Sequence, residues 1–171
     1  LRAELTAQIE RFADLAGHLP DHLDCHHFVH LYPPFFRVYA DLAQEHQLPL
    51  RIPFPPETHF EAALKTLPYL EGFPRDLVRG MIVTNSALLR TREIACPDLF
   101  IGTFFGLDAL TLDYLLSLLD NLPEGLSELM CHPGFNDPGL ATSSYRDERE
   151  MELSLLTHPS VHKRIKDRGI E

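Results

Sequence analysis

Histidines are concentrated in one short stretch of this 171-residue chain. Five of the ten histidines lie between positions 18 and 30: His18, His22, His26, His27 and His30. Imidazole is the commonest metal ligand in proteins and titrates near neutral pH. The stretch therefore predicts a metal site, in which a nearby carboxylate such as Asp24 can orient the ligating ring. A run of surface or core histidines without a ligand is the alternative that spacing leaves open.

The backbone of this stretch decides which histidines act together. In an extended backbone, His26, Phe28 and His30 project to one side and the residues between them to the other. If a strand ends near Cys25, His26 lies at its C-terminal tip, where parallel α/β folds place their ligands. A neutral imidazole at that tip suits a divalent cation.

A second histidine follows an apolar segment late in the chain. Leu129, Met130 and Cys131 predict a buried strand, and His132 stands at its C-terminal end, before a Pro-Gly turn. One histidine after a strand is weak evidence for a site, and a structural role is the open alternative. Two histidines at strand ends of one parallel array point to the same rim, which strengthens both interpretations.

Two arginines are further candidates for the site. Residues 145–153 alternate acids and bases densely, which is typical of a solvated helix face, although Arg149 or Glu152 can brace the rim. Arg51 follows a short apolar segment and can either orient a polar substrate or pair with an acid. We expect Arg51 and Arg149 to contribute to substrate binding, and the sequence leaves their structural roles open.

The elements that position these residues alternate between helix and strand. Strands are predicted near residues 22–26, 48–52, 98–102 and 126–131. Helices are predicted over residues 1–17, 35–46, 110–119 and 159–168, from about residue 146, and through 57–97 with a break at 72–74. A Pro-rich turn through Pro56 closes the second strand. This alternation predicts parallel βα units, an α/β fold. Because the array begins with a helix, we expect its first strands to be missing.

Composition excludes several classes of protein. The length fits a single domain over residues 1–171. A net charge of −10 argues against nucleic acid or an anionic membrane as the main partner. The sequence contains no run of about 18 apolar residues, which is the length needed to span a bilayer. Three cysteines without a CxxC pair predict reduced thiols and a cytoplasmic protein.

Several spaced motifs resemble the YdjC-like carbohydrate deacetylase family. The resemblance runs in order through five blocks: residues 4–12 with 20–30, 48–53, 100–102, 122–134 and 149–153. It implies a distorted TIM-barrel-like α/β fold with parallel strands. It further implies a hydrolase that removes acetyl groups from N-acetylated sugars such as chitooligosaccharides. A divalent metal, Mg²⁺ or Zn²⁺, polarises the acetamide and activates water in such an enzyme.

The resemblance also assigns roles to individual residues. It implies His26 as a metal ligand, with His30 as the second choice, and His132 as the general acid. The family's Asp-Asp and Gly-Leu-His motifs, which carry the other ligands and a catalytic carboxylate, do not occur in these residues. We therefore expect a partial domain, with little metal affinity or activity by itself.

Two further expectations follow from a partial domain. Its open sheet edges favour coverage by a partner copy, so we expect a homo-oligomer, a dimer. The alternative function is a non-catalytic carbohydrate-binding or interaction module derived from the same fold.

Overall fold

The computed structural model describes residues 1–52 and 74–171. The predicted turn through Pro56, the first part of the helical stretch 57–97 and most of its break at 72–74 lie outside the described residues. The chain divides into two compact units, Leu1–Asp98 and Leu99–Glu171. A single domain over residues 1–171 stays a prediction.

Three α-helices are found among the described residues of the first unit. Helix α1 spans Arg2–Ala16, α2 spans Pro33–His46 and α3 spans Arg75–Arg92. Helix α1 ends as the sequence predicts, because Gly17 adopts the left-handed conformation (φ 77°) and donates its backbone N–H to the carbonyl of Ala13 at 2.8 Å.

One face of α2 and one face of α3 form most of the core of the first unit. The core residues are Leu31, Phe36, Tyr39, Ala43, Leu50, Ile52, Val78, Ile82 and Leu89. Two extended segments complete it through a single parallel bridge between Leu23 and Leu50. The Leu23 N–H donates to the Pro49 carbonyl at 2.8 Å, and the Arg51 N–H donates to the Leu23 carbonyl at 2.9 Å. The strands predicted near 22–26 and 48–52 therefore pair in parallel, but only over one bridge.

The second unit contains two paired strands and three helices. Strand β1 (Leu99–Ile101) pairs in parallel with β2 (Ser127–Leu129), with Phe100 opposite Glu128. Helices α4 (Leu112–Asp120), α5 (Asp147–Leu156) and α6 (Pro159–Arg168) follow the predicted positions. Their core is formed by Phe104, Leu110, Leu115 and Val161. Both observed pairings are parallel, which confirms the α/β class.

The backbone from His26 to Leu31 is not extended. His26–Leu31 forms a 3₁₀ segment, in which His27 (φ 56°) and Phe28 (φ 53°) are both left-handed. The Phe28 N–H closes a turn onto the Cys25 carbonyl at 3.1 Å. The turn lets Leu31 reach the core, so the alternation of sides expected for a strand does not apply.

No helix within residues 1–52 and 74–171 is both long and apolar enough to cross a membrane.

Candidate functional site

His26 begins the 3₁₀ segment directly after an extended residue. Cys25 has φ −137° and ψ 124°, so His26 does stand at the end of the extended segment that carries Leu23. The side chain is exposed, and its ring packs edge-on against His27 with centroids 4.1 Å apart. This exposure leaves His26 accessible to a ligand.

Asp24 pairs with an arginine in this structure. Its Oδ2 lies 2.5 Å from Nη1 of Arg51, and its Oδ1 accepts the backbone N–H of Cys25 at 2.6 Å. Of the two roles that the sequence left open for Arg51, the observed contact is the ion pair. The substrate-binding role of Arg51 stays a prediction.

His30 lies inside the core of the first unit. It is 1% exposed, and its ring centroid lies 5.2 Å from that of Tyr39 and 6.3 Å from that of Phe36. Its Nε2 is 3.3 Å from the Arg51 carbonyl, which makes Nε2 the protonated nitrogen of a neutral ring. Burial lowers the pKa of His30 below its ordinary value, which favours that neutral form.

These positions bear on the predicted metal site. His26 is accessible, whereas His30 would have to leave its packing to reach an ion. Within residues 1–52 and 74–171, no three His, Cys, Asp or Glu side chains come together as a metal-binding group. The residues that the structure describes therefore do not fit a complete metal site, and His26 fits as a single ligand of one.

His132 lies just beyond the C-terminal end of β2, as predicted. The ladder extends one step past the strand, since the Met130 N–H donates to the Ile101 carbonyl at 3.0 Å. The side chain of His132 is 35% exposed. The ends of parallel strands are the usual position of ligand sites in α/β folds.

A fully buried carboxylate holds His132 in place. Glu152, on α5, is 0% exposed. Its Oε2 accepts the backbone N–H of His132, and its Oε1 accepts the hydroxyl of Tyr145. The same Oε1 lies 4.0 Å from Nδ1 of the His132 ring. The two hydrogen bonds offset the cost of burying the charge.

Arg149 links the loop of His132 to the start of α5. Its Nη1 donates to the His132 carbonyl at 3.2 Å and its Nε to the Tyr145 carbonyl at 3.0 Å. In return, its own carbonyl accepts the Gly134 N–H at 3.1 Å. The predicted solvated face thus turns Arg149 and Glu152 inward, where they brace the rim. Substrate binding by Arg149 stays a prediction.

Sequence reasoning missed two aromatic residues beside His132. Phe105, after β1, stacks on Tyr145 with centroids 4.3 Å apart and planes 3° from parallel. Each ring also contacts His132 at 5.6 Å, with planes inclined by 69°. The sequence feature that could have identified Phe105 is its position after a predicted strand end, which it shares with His132.

The hydroxyl of Tyr145 stays protonated at neutral pH. Burial, together with the hydrogen bond to Glu152 and the charge of that carboxylate, raises the pKa of Tyr145 above its ordinary value. The phenol is therefore a permanent donor to Glu152. The second unit brings His132, Glu152, Tyr145, Arg149 and Phe105 together, whereas a common rim for His26 and His132 stays a prediction.

Comparison with known proteins gives relatives of consistent description. A carbohydrate deacetylase from Geobacillus stearothermophilus is 33% identical over 173 residues, which cover 100% of this chain and 56% of that protein. A chitooligosaccharide deacetylase from Proteus mirabilis is 30% identical, over 100% of this chain and 58% of that protein. The chain thus spans a little over half the length of these relatives.

A solved structure and a family model agree with these relatives. A crystal structure from Enterococcus faecalis V583, provisionally described as a cellobiose-phosphate cleavage protein, superposes with a TM-score of 0.71 at 29% identity. That match covers 99% of this chain and 56% of the other. The sequence model of the YdjC-like protein family matches residues 1–167. The chain therefore belongs to the YdjC-like family.

Proposed function

We propose that the protein hydrolyses the acetamide group of N-acetylated sugars, with His132 as the general acid. In this reaction water adds to the acetyl carbonyl, the C–N bond breaks, and acetate leaves from the amine. The amine nitrogen must gain a proton as the bond breaks. Relatives named carbohydrate and chitooligosaccharide deacetylases support the reaction class.

The observation that carries this proposal is the contact between His132 and Glu152. Nδ1 of His132 lies 4.0 Å from Oε1 of the buried Glu152 carboxylate, and we propose that Nε2 donates the proton. A carboxylate beside an imidazole stabilises its protonated form, which is the form that donates. General acid catalysis of this kind contributes about 10²–10⁴-fold in rate.

Tyr145 and Arg149 serve as positioning residues in this proposal. The Tyr145 hydroxyl fixes Oε1 of Glu152, and the Arg149 guanidinium fixes the backbone carbonyl of His132. Together they hold the ring and its carboxylate without touching the reacting atoms. Such orientation matters because a displacement of about 1 Å can cost about 10²-fold in rate.

The metal of the proposed reaction, Mg²⁺ or Zn²⁺, requires ligands besides His26. The described residues supply the accessible imidazole of His26 and no group of three donors. We propose that His26 is one ligand and that the others belong to the part of the family domain that these 171 residues do not span.

Acetate release tests the proposed function. The full-length protein is incubated with N-acetylated sugars, including N,N′-diacetylchitobiose, with Mg²⁺ or Zn²⁺ added. We expect acetate release that falls about 10²-fold or more in His132→Gln. His162→Gln, an exposed histidine of α6, is the matched control and should keep full activity. Background release from every sugar with every metal would contradict the proposal, and sugar binding without release would favour the non-catalytic module.

A further inference from the structure

Phe105 is an aromatic ring that remains partly open to solvent although it is held firmly. It is 41% exposed and lies four residues past Ile101, where β1 ends. Tyr145 covers one face of the ring at 4.3 Å, in a nearly parallel stack. The part of the ring that remains exposed to solvent does not contribute to the packing of the core.

The position of this ring relates it to the reacting centre. Its centroid lies 5.6 Å from that of the His132 imidazole. The same distance separates His132 from Tyr145, so the imidazole stands beside the stacked pair, and a group bound on Phe105 rests on a direct neighbour of the proposed proton donor. Glu152 anchors both neighbours of the ring, because it accepts hydrogen bonds from His132 and from Tyr145.

A pyranose ring has the chemistry that this surface recognises. Its C–H bonds form an apolar face, and the negative face of an aromatic ring attracts such polarised hydrogens. A neutral sugar also suits the surroundings, since the chain carries a net charge of −10 and would repel an anionic ligand. Because Phe105 is already fixed, stacking costs little conformational entropy.

We propose that Phe105 is the platform on which one pyranose ring of the substrate stacks, beside His132. This proposal rests on the carbohydrate substrate proposed above. Phe105 would then determine specificity for a ring-bearing acetamide over a linear one, without taking part in proton transfer.

Kinetics test this role through the separation of KM from kcat. Phe105→Leu keeps apolar bulk but removes the aromatic face. We expect it to raise the KM for N,N′-diacetylchitobiose about tenfold, with kcat unchanged within about twofold. Phe105→Tyr should restore the KM. For N-acetylethanolamine, which lacks a ring, Phe105→Leu should change nothing. Leu107→Ala, at an exposed apolar residue of the same loop, is the matched control.

Fluorescence gives a reading that does not depend on turnover. Residues 1–171 contain no tryptophan, so Phe105→Trp adds a reporter at the proposed platform whose signal is read as the difference from the wild-type protein. Saturable fluorescence change with chitooligosaccharides, absent in Leu107→Trp, is expected even if no acetate is released. A fluorescence change without acetate release would support sugar stacking on Phe105 and refute the proposed deacetylation. Acetate release with an unchanged KM in folded Phe105→Leu, or no fluorescence change in folded Phe105→Trp, would overturn the platform.

Discussion

The carboxylate of Glu152 contacts His132 at two points, accepting its backbone N–H and lying 4.0 Å from its Nδ1. One buried charge thus holds the main chain of His132 by a hydrogen bond and lies beside the ring of the same residue. The ring is close enough for the negative charge to stabilise its protonated form. Position and protonation of the proposed acid therefore depend on a residue twenty positions away.

Neutralising Glu152 tests this dependence. Glu152→Gln keeps the shape and one acceptor oxygen but removes the charge that stabilises the imidazolium. We expect kcat to fall about 10-fold or more. The alkaline limb of the kcat–pH profile should move to lower pH, because the uncompensated imidazolium loses its proton sooner. Glu150→Gln, an exposed neighbour on α5, should leave the profile unchanged. An unshifted profile in Glu152→Gln would contradict the pairing.

Removing the Tyr145 hydroxyl tests how the buried charge is held. Tyr145→Phe keeps the stack on Phe105 but takes one donor from Glu152. We expect urea unfolding to show a loss of about 1–3 kcal/mol, since a buried carboxylate is left undersatisfied. Tyr114→Phe is the control, because its hydroxyl donates only to the neutral Thr103 hydroxyl at 2.7 Å. An equal or smaller loss in Tyr145→Phe would show that the charge needs no such donor.

The buried imidazole of His30 predicts a pH dependence of stability. Burial lowers its pKa in the folded state below the unfolded value of about 6.5. Above that value neither state binds the proton and stability is complete. As pH falls through about 6.5 the unfolded state binds a proton first, so the free energy of unfolding decreases until the folded pKa is reached.

His30→Phe removes this titration and keeps an aromatic ring in the core. We expect its free energy of unfolding to fall less between pH 7 and pH 5 than that of the wild-type protein, measured by urea titration at each pH. His162→Phe, at an exposed position, should keep the wild-type slope. Parallel curves for wild type and His30→Phe would refute the assignment of this dependence to His30.

Metal affinity distinguishes one ligand from a complete site. We expect calorimetry on residues 1–171 to show no micromolar binding of Mg²⁺ or Zn²⁺, because no three potential ligands come together in the described residues and a lone histidine leaves the coordination shell to water. Micromolar binding of one ion per chain that is lost in His26→Ala would show that these residues complete the site by themselves.

Local signals explain which elements could be predicted from the sequence. Helix α6 begins at Pro159 and ends before Gly169, and both bounds follow from the backbone preferences of those two residues. The position of His132 after a strand is likewise readable from the apolar run before it. The family motifs add the reaction class, which no local signal provides.

Contacts distant in sequence explain what could not be predicted. His27 and Phe28 adopt left-handed conformations that non-glycine residues rarely take, so no pattern indicates the turn. Glu152 stands in a run of charges typical of solvent, and only the packing of α5 against the His132 loop buries it.

The spacing of Tyr145, Arg149 and Glu152 limits how the length of this chain can vary in evolution. Arg149 and Glu152 are three positions apart on α5 and so share one side of the helix, and Tyr145 stands two residues before the helix begins. A single residue inserted between Arg149 and Glu152 would turn the carboxylate by about 100° and detach His132 and Tyr145 from it together. Residues 137–144 are mostly exposed, so a change of length there displaces no buried group. Among homologues, we therefore expect insertions and deletions to be common in the region of residues 137–144 and rare between Tyr145 and Glu152.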